Sequence, residues 1–258
     1  MKVVILAGGM GTRLAEKTDV VPKPMVEIGG KPILWHIMRS YAQFGFDDFV
    51  VALGYKGEVI KQYFLDYHRL GSDLHIDLAG GKVTDLTRNH ESDWKVTLID
   101  TGQDTMTGGR VRRLKDVLGD DTFMLTYGDG LSDVDFKELL GYHRQHGRAM
   151  TITAVHPKAH YGELVIDDHG RIESFMEKPQ FKQSWINGGF MVLEPQVLDW
   201  IEGDDTVLER EPVERAAATE NLMAYQHRGF WQCMDTLRDV LHLNALWDKG
   251  ERPWLAEA

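Results

Sequence analysis

Near its start the chain carries an unbroken apolar run, Val3-Val4-Ile5-Leu6, that passes directly into a glycine-rich turn. Such a run suits a strand buried on both faces, as in a parallel sheet. Ile33, Leu34, Ile37, Met38 and Tyr41 then recur at helical spacing, with Pro32 in front and Gly45 behind, which predicts a helix over 32–44. Asp48–Leu53 reads as a second buried strand. Val59, Ile60, Tyr63, Phe64 and Tyr67 share one face of a helix predicted over 57–68. Strand, helix, strand, helix from the first residues is the pattern of a doubly wound α/β sheet.

The polar stretch 72–92, with Gly80-Gly81, predicts strands and a loop, and 93–100 predicts a strand on the alternation of Trp94, Val96 and Leu98. A helix is expected over 106–118, a strand around Phe123-Met124-Leu125, and a helix over 136–146 capped by Asp133 and Asp135. The second half is richer in strand patterns. These cover 150–155, then 161–166 and 171–175 as a hairpin across Asp167-Asp168-His169-Gly170, then Met191-Val192-Leu193. Helical patterns return over 205–219 and 237–247. No repeat, linker or low-complexity segment interrupts the chain, so one domain is expected, with 1–147 and 148–258 as its two halves.

Candidate chemistry sits at the turns. Gly8, Gly9 and Gly11 leave the backbone free of Cβ atoms, and successive N–H groups in such a turn form a concave anion site. Thr12 adds a hydroxyl, Arg13 a guanidinium fork and Lys23, held between Pro22 and Pro24, a second cation. This is not a P-loop, since no Gly-Lys-Ser/Thr follows, nor the dinucleotide fingerprint, since Leu14 stands at the third glycine's place. Asp129 between Gly128 and Gly130 follows an apolar strand and is suited to Mg²⁺, although Asp-Gly is also a common turn pair. Met106-Thr107-Gly108-Gly109-Arg110 opens a helix either as an anion contact or as an ordinary helix start. Glu177-Lys178-Pro179 reads by itself as a solvated turn, and Asp235-Thr236 as a helix cap with Asp239 in a structural role.

Composition narrows the field. The 258 residues carry a formal charge of −11, which disfavours nucleic acid and anionic membrane as partners. Cys233 is the single cysteine and is expected as buried packing, so there is no internal disulfide and a reducing cytoplasm fits. The N-terminus does not read as a signal peptide. The 11 histidines form no His-Glu-x-x-His arrangement and are expected mostly at the surface.

Leu6-Ala7-Gly8-Gly9-Met10-Gly11-Thr12-Arg13-Leu14 with Pro22-Lys23-Pro24-Met25 resembles the signature of the sugar-1-phosphate nucleotidyltransferases. The resemblance covers the whole chain and implies a Rossmann-like, doubly wound mixed sheet of GT-A-like type with a smaller β-rich sugar-binding part. It further implies that Leu6 to Arg13, Lys23, Thr105, Thr107 and Arg110 meet the nucleotide. Arg13, Lys23 and Asp129 would carry the catalysis. Gly162, Glu177, Lys178, Asn187 and Gly188 would meet the sugar phosphate, and Asp129 and Asp235 would hold Mg²⁺. The match favours CTP and glucose 1-phosphate as substrates. Thymidylyl or uridylyl transfer, or a non-catalytic nucleotide-sugar sensor, remain open alternatives. A homo-oligomer, with Trp247 and Trp254 as candidates for its interface, and a role in supplying a nucleotide sugar for bacterial O-antigen polysaccharide complete what the resemblance implies.

Overall fold

The computed structural model describes residues 1–11, 14, 21–70, 72–86, 93–157, 163–167, 170–176 and 184–255. The strands in chain order are β1 (Lys2–Leu6), β2 (Glu27–Ile28), β3 (Lys31–Pro32), β4 (Asp48–Leu53), β5 (Leu74–Asp77), β6 (Lys82–Asp85), β7 (Lys95–Asp100) and β8 (Phe123–Tyr127). They continue with β9 (Gly130–Ser132), β10 (Met150–Val155), β11 (Glu163–Ile166), β12 (Ile172–Met176), β13 (Ile186–Leu193), β14 (Leu222–Gln226) and β15 (Trp231–Cys233). Seven of them form the central sheet in the order β14-β10-β13-β8-β1-β4-β7. β1 pairs in parallel with β4 and β8, β4 with β7, and β10 with β14. β13 runs antiparallel to both of its neighbours, which makes the sheet mixed.

The apolar strand runs are buried on two faces. Val3, Ile5, Phe49 and Val51 point into one core with the helices Ile33–Ala42 and Phe136–His146. Val4, Val50 and Ala52 point into the other with Val111, Leu118 and Val197. Alternating side chains along each strand thus feed two separate apolar layers, as a sheet covered on both sides requires.

Several expectations change. The helix expected over 57–68 divides into Gly57–Leu65 and Tyr67–Leu70, and that over 106–118 into Thr107–Arg112 and Lys115–Leu118. The helix expected from 205 begins only at Glu211, where Pro212 fits the first turn, which has no use for its missing N–H. Residues ahead of it hydrogen-bond to the segment 106–109 instead. Asp135 caps its helix through the amides of Lys137 and Glu138, whereas Asp133 is bound by His227 and does not cap. His36 and His143 are buried, two exceptions among histidines expected mostly at the surface. Trp254 is fully buried within the chain's own core, so it has no face left for a subunit contact.

Candidate active site

The order of the central strands reverses between β1 and β8, and ligands of open α/β sheets bind outside the carboxyl ends of strands at such a point. The glycine turn leaves β1 there and Gly128-Asp129 leaves β8 beside it. The two chain segments touch: Gly128 N donates to Leu6 O at 3.0 Å, and a Cβ on Gly128 would lie 2.8 Å from Pro24 Cγ. Only glycine permits that approach.

A cavity of about 620 Å³ opens over this junction. It is lined by Leu6, Ala7, Gly8, Gly9, Met10, Gly11, Lys23, Thr105, Thr107, Arg110, Asp129 and Asp235, all sequence candidates. Pro24, Met106 and Gly128, from the same sequence motifs, complete its wall together with Gln103, Asp104 and Tyr127, which no motif marks. Asn187 and Gly188 lie outside that lining, at the start of β13. Asn187 Oδ1 accepts from Gly189 N at 2.8 Å, and Gly188 O accepts from the Trp231 indole at 2.8 Å. Thr12, Arg13, Gly162, Glu177 and Lys178 fall outside the described residues.

Arg110 is 5% exposed and fully engaged behind the turn. Its guanidinium donates to the carbonyls of Gly8 (3.1 Å), Leu53 (3.1 Å), Gly102 (2.7 Å) and Gln103 (3.0 Å) and to Thr101 Oγ1 (2.9 Å). A Cβ on Gly8 would collide with this side chain. Burial lowers the Arg110 pKa from its ordinary value, yet a guanidinium remains charged throughout the physiological range. Arg110 ties the ends of β1, β4 and β7 together from within.

The acidic pair is assembled by strand pairing. β15 runs antiparallel to β9 with Cys233 opposite Gly130, and Met234 N donates to Asp129 O at 2.8 Å. Asp235 is thereby delivered next to Asp129. Asp239 then fixes the backbone: its Oδ2 accepts from the amides of Asp235 (3.1 Å) and Thr236 (2.8 Å), completing a capping box with Thr236 as the N-cap. Lys23 Nζ bridges the two acids, 2.6 Å from Asp129 Oδ2 and 2.6 Å from Asp235 Oδ1. Burial works against the Lys23 charge, but the two carboxylates outweigh it and its pKa is raised.

Cys233 was expected as packing, but its half-buried thiol belongs to this cluster. Ligand atoms of Asp129, Cys233 and Asp235 all lie within 4.8 Å of one another. Burial and the two neighbouring carboxylates push its pKa up, so it stays a neutral thiol. Two hard carboxylates that already hold a positive charge between them fit a divalent cation.

Residues 2–252 match the family described as nucleotidyl transferase. The chain is 50% identical over 98% of its length, and 98% of the relative's, to the glucose-1-phosphate cytidylyltransferase of Salmonella typhi. It is 44% identical to the probable glucose-1-phosphate cytidylyltransferase of Bacillus subtilis over 98% of this chain and 99% of the relative. Among solved structures, HddC from Yersinia pseudotuberculosis superimposes with a TM-score of 0.69 at 22% identity, covering 95% of this chain and 99% of that one. A UDP-glucose pyrophosphorylase bound to UDP-glucose gives a TM-score of 0.69 at 15% identity over 96% and 98% of the two chains. These likenesses show the shared fold. Among the described residues no helix is long and apolar enough to cross a membrane.

Proposed function

The chain belongs to the nucleotidyl transferase family, and from that premise we propose that it transfers a cytidylyl group from CTP to α-D-glucose 1-phosphate, giving CDP-glucose and pyrophosphate. The choice of substrates rests on identity to cytidylyltransferases across nearly the entire chain. One structural observation carries the chemistry: Lys23, Asp129 and Asp235 converge on the floor of the same cavity that the glycine turn borders.

In this reading a phosphate oxygen of the sugar ester forms a bond to the α-phosphorus of the triphosphate as the bond to pyrophosphate breaks. Two anions must be aligned and their repulsion cancelled, so positioning and electrostatics supply most of the rate. Gly8 to Gly11, with Thr12, offer backbone N–H groups to the nucleotide, and Thr105 and Thr107 border it. Lys23 and Arg13 stabilise the triphosphate and the departing pyrophosphate. Asp129 and Asp235 would hold Mg²⁺, which would supply charge neutralisation for the phosphates. Glu177 and Lys178 receive the sugar hydroxyls and its phosphate, together with Gly162, Asn187 and Gly188. The attacking monoester is already ionised near neutral pH, so the chain needs no general base.

A cytoplasmic homo-oligomer that feeds O-antigen polysaccharide synthesis belongs to the same reading, supported by the family resemblance. Pyrophosphate release measured with glucose 1-phosphate and each of CTP, UTP, dTTP and GTP, with and without Mg²⁺, tests the core of it. CTP with Mg²⁺ is expected to give by far the fastest turnover. A higher kcat/KM with any other triphosphate, or no release from any, would refute the assignment.

A further inference from the structure

One carboxylate near the cavity has no part in the chemistry above. Glu209 lies in the turn ahead of the helix Glu211–Ala218. Its two oxygens take partners from two walls of the site. Oε2 accepts from Thr107 Oγ1 at 2.7 Å, and Oε1 accepts from the Tyr127 hydroxyl. Thr107 and Tyr127 both line the cavity, on segments 20 residues apart in sequence but joined through this one side chain.

The Thr107 wall rests on the segment that carries Glu209. Met106 N donates to Asp204 O (2.8 Å), Gly108 N to Thr206 O (3.0 Å) and Leu208 N to Thr107 Oγ1 (2.9 Å). A Cβ on Gly109 would lie 2.5 Å from Asp204 O, so this contact depends on glycine. On the other side, Tyr127 ends β8 two residues before Asp129. Its ring packs on Gly189, where φ is +82 and a Cβ would meet Tyr127 Cδ2 at 2.7 Å. Gly189 N in turn donates to Asn187 Oδ1 at 2.8 Å, which links the ring's packing partner to Asn187.

We propose that Glu209 is a positioning residue for phosphoryl alignment. It clamps the nucleotide wall at Thr107 to Tyr127, and through the Tyr127 ring to Gly189 and Asn187 at the sugar end. The clamp sets the spacing between the two bound esters without touching either. This inference rests on the nucleotidyl transfer reading, because alignment matters only if two substrates meet in the cavity. A misplacement of about 1 Å at reacting atoms is enough to slow an oriented reaction roughly a hundredfold.

The test uses Glu209→Met, Tyr127→Phe and the double variant in the full-length enzyme, assayed on whichever substrate pair the wild type turns over. Glu209→Met keeps a similar length but removes both acceptor oxygens, whereas a glutamine amide would still accept from one hydroxyl and donate to the oxygen of the other. Each single variant is expected to lower kcat about tenfold with both KM values within about twofold, the mark of an interaction expressed in the transition state. The double variant is expected to be no slower than the slower single one, because both break the same link. Melting temperatures should agree within a few degrees. Wild-type kcat in both single variants, losses that multiply in the double variant, or a fall in kcat matched by loss of folded protein would each overturn the proposal. A wild type that turns over no triphosphate at all would instead overturn the activity on which it rests.

Discussion

Lys23 shows how one side chain serves the structure and the site together. Its ammonium sits 2.6 Å from a carboxylate oxygen of both Asp129 and Asp235, with only 12% of the side chain exposed. Removing the charge leaves two carboxylates facing each other in a half-buried place. Lys23→Met is expected to lose about 1–3 kcal/mol of stability in the presence of a chelator, between the values for exposed and fully buried pairs. Mg²⁺ should restore most of that loss, since a cation that binds only the folded state stabilises it. Urea titrations with EDTA and with Mg²⁺ measure both quantities, and an equally stable variant in EDTA would show that the acids need no cation between them. Lys23 was marked in the sequence by its place between two prolines, and Asp129 by its glycines. Glu209 was not: its partners Thr107 and Tyr127 lie 102 and 82 residues away, and no local pattern announces them.

Among the elements, the helix Ile33–Ala42 illustrates a packing contact that pH can test. His36 on this helix has Nε2 2.8 Å from Ile28 O, and its Nδ1 accepts from the Trp254 indole at 3.2 Å. The indole N–H can only donate, so Nδ1 must stay unprotonated and the neutral tautomer is the one that fits. Burial pushes the His36 pKa down from 6.5 to about 4. The unfolded chain therefore binds the extra proton first. Stability from this contact is intact above the ordinary histidine value and is lost as pH falls from about 6.5 toward 4, by about 3 kcal/mol in all. Denaturation midpoints of the wild type should drop between pH 7.5 and 4.5 more than those of His36→Gln, which has no proton to gain. Parallel slopes would mean that His36 is not the titrating group. The helix itself followed from its apolar spacing. The breaks at 66 and at 113–114 and the late start at Glu211 did not; ahead of Glu211 the chain is held by hydrogen bonds to the segment 106–109, far away in sequence.

Over the whole molecule, the central sheet runs through both halves of the sequence. β8 lies between β1 and β13, with Phe190 opposite Thr126 and Leu193 opposite Phe123. A fragment of residues 1–147 would end β8 with an open hydrogen-bonding edge and an uncovered apolar surface, which favours aggregation. We expect calorimetry of the intact chain to show one cooperative transition, and the fragment to show none or to precipitate. Two separate transitions, or a soluble fragment with its own sharp melt, would argue for independent domains. The net charge of −11 is compatible with anionic substrates because Lys23 and Arg110 are placed locally at the cavity.

Read alone, the amino-acid order determined the strand and helix alternation, the glycine turn and the acidic candidates, since burial period and backbone freedom are local properties. Tertiary structure alone decided which of these groups meet. Asp235 reaches Asp129 only because β15 pairs with β9. Arg110 is committed to carbonyls of three chain segments, and Trp254 closes the core rather than an interface. The reason is physical: a carboxylate or a guanidinium takes its role from the charges and dipoles around it, and those arrive from parts of the chain far away in sequence.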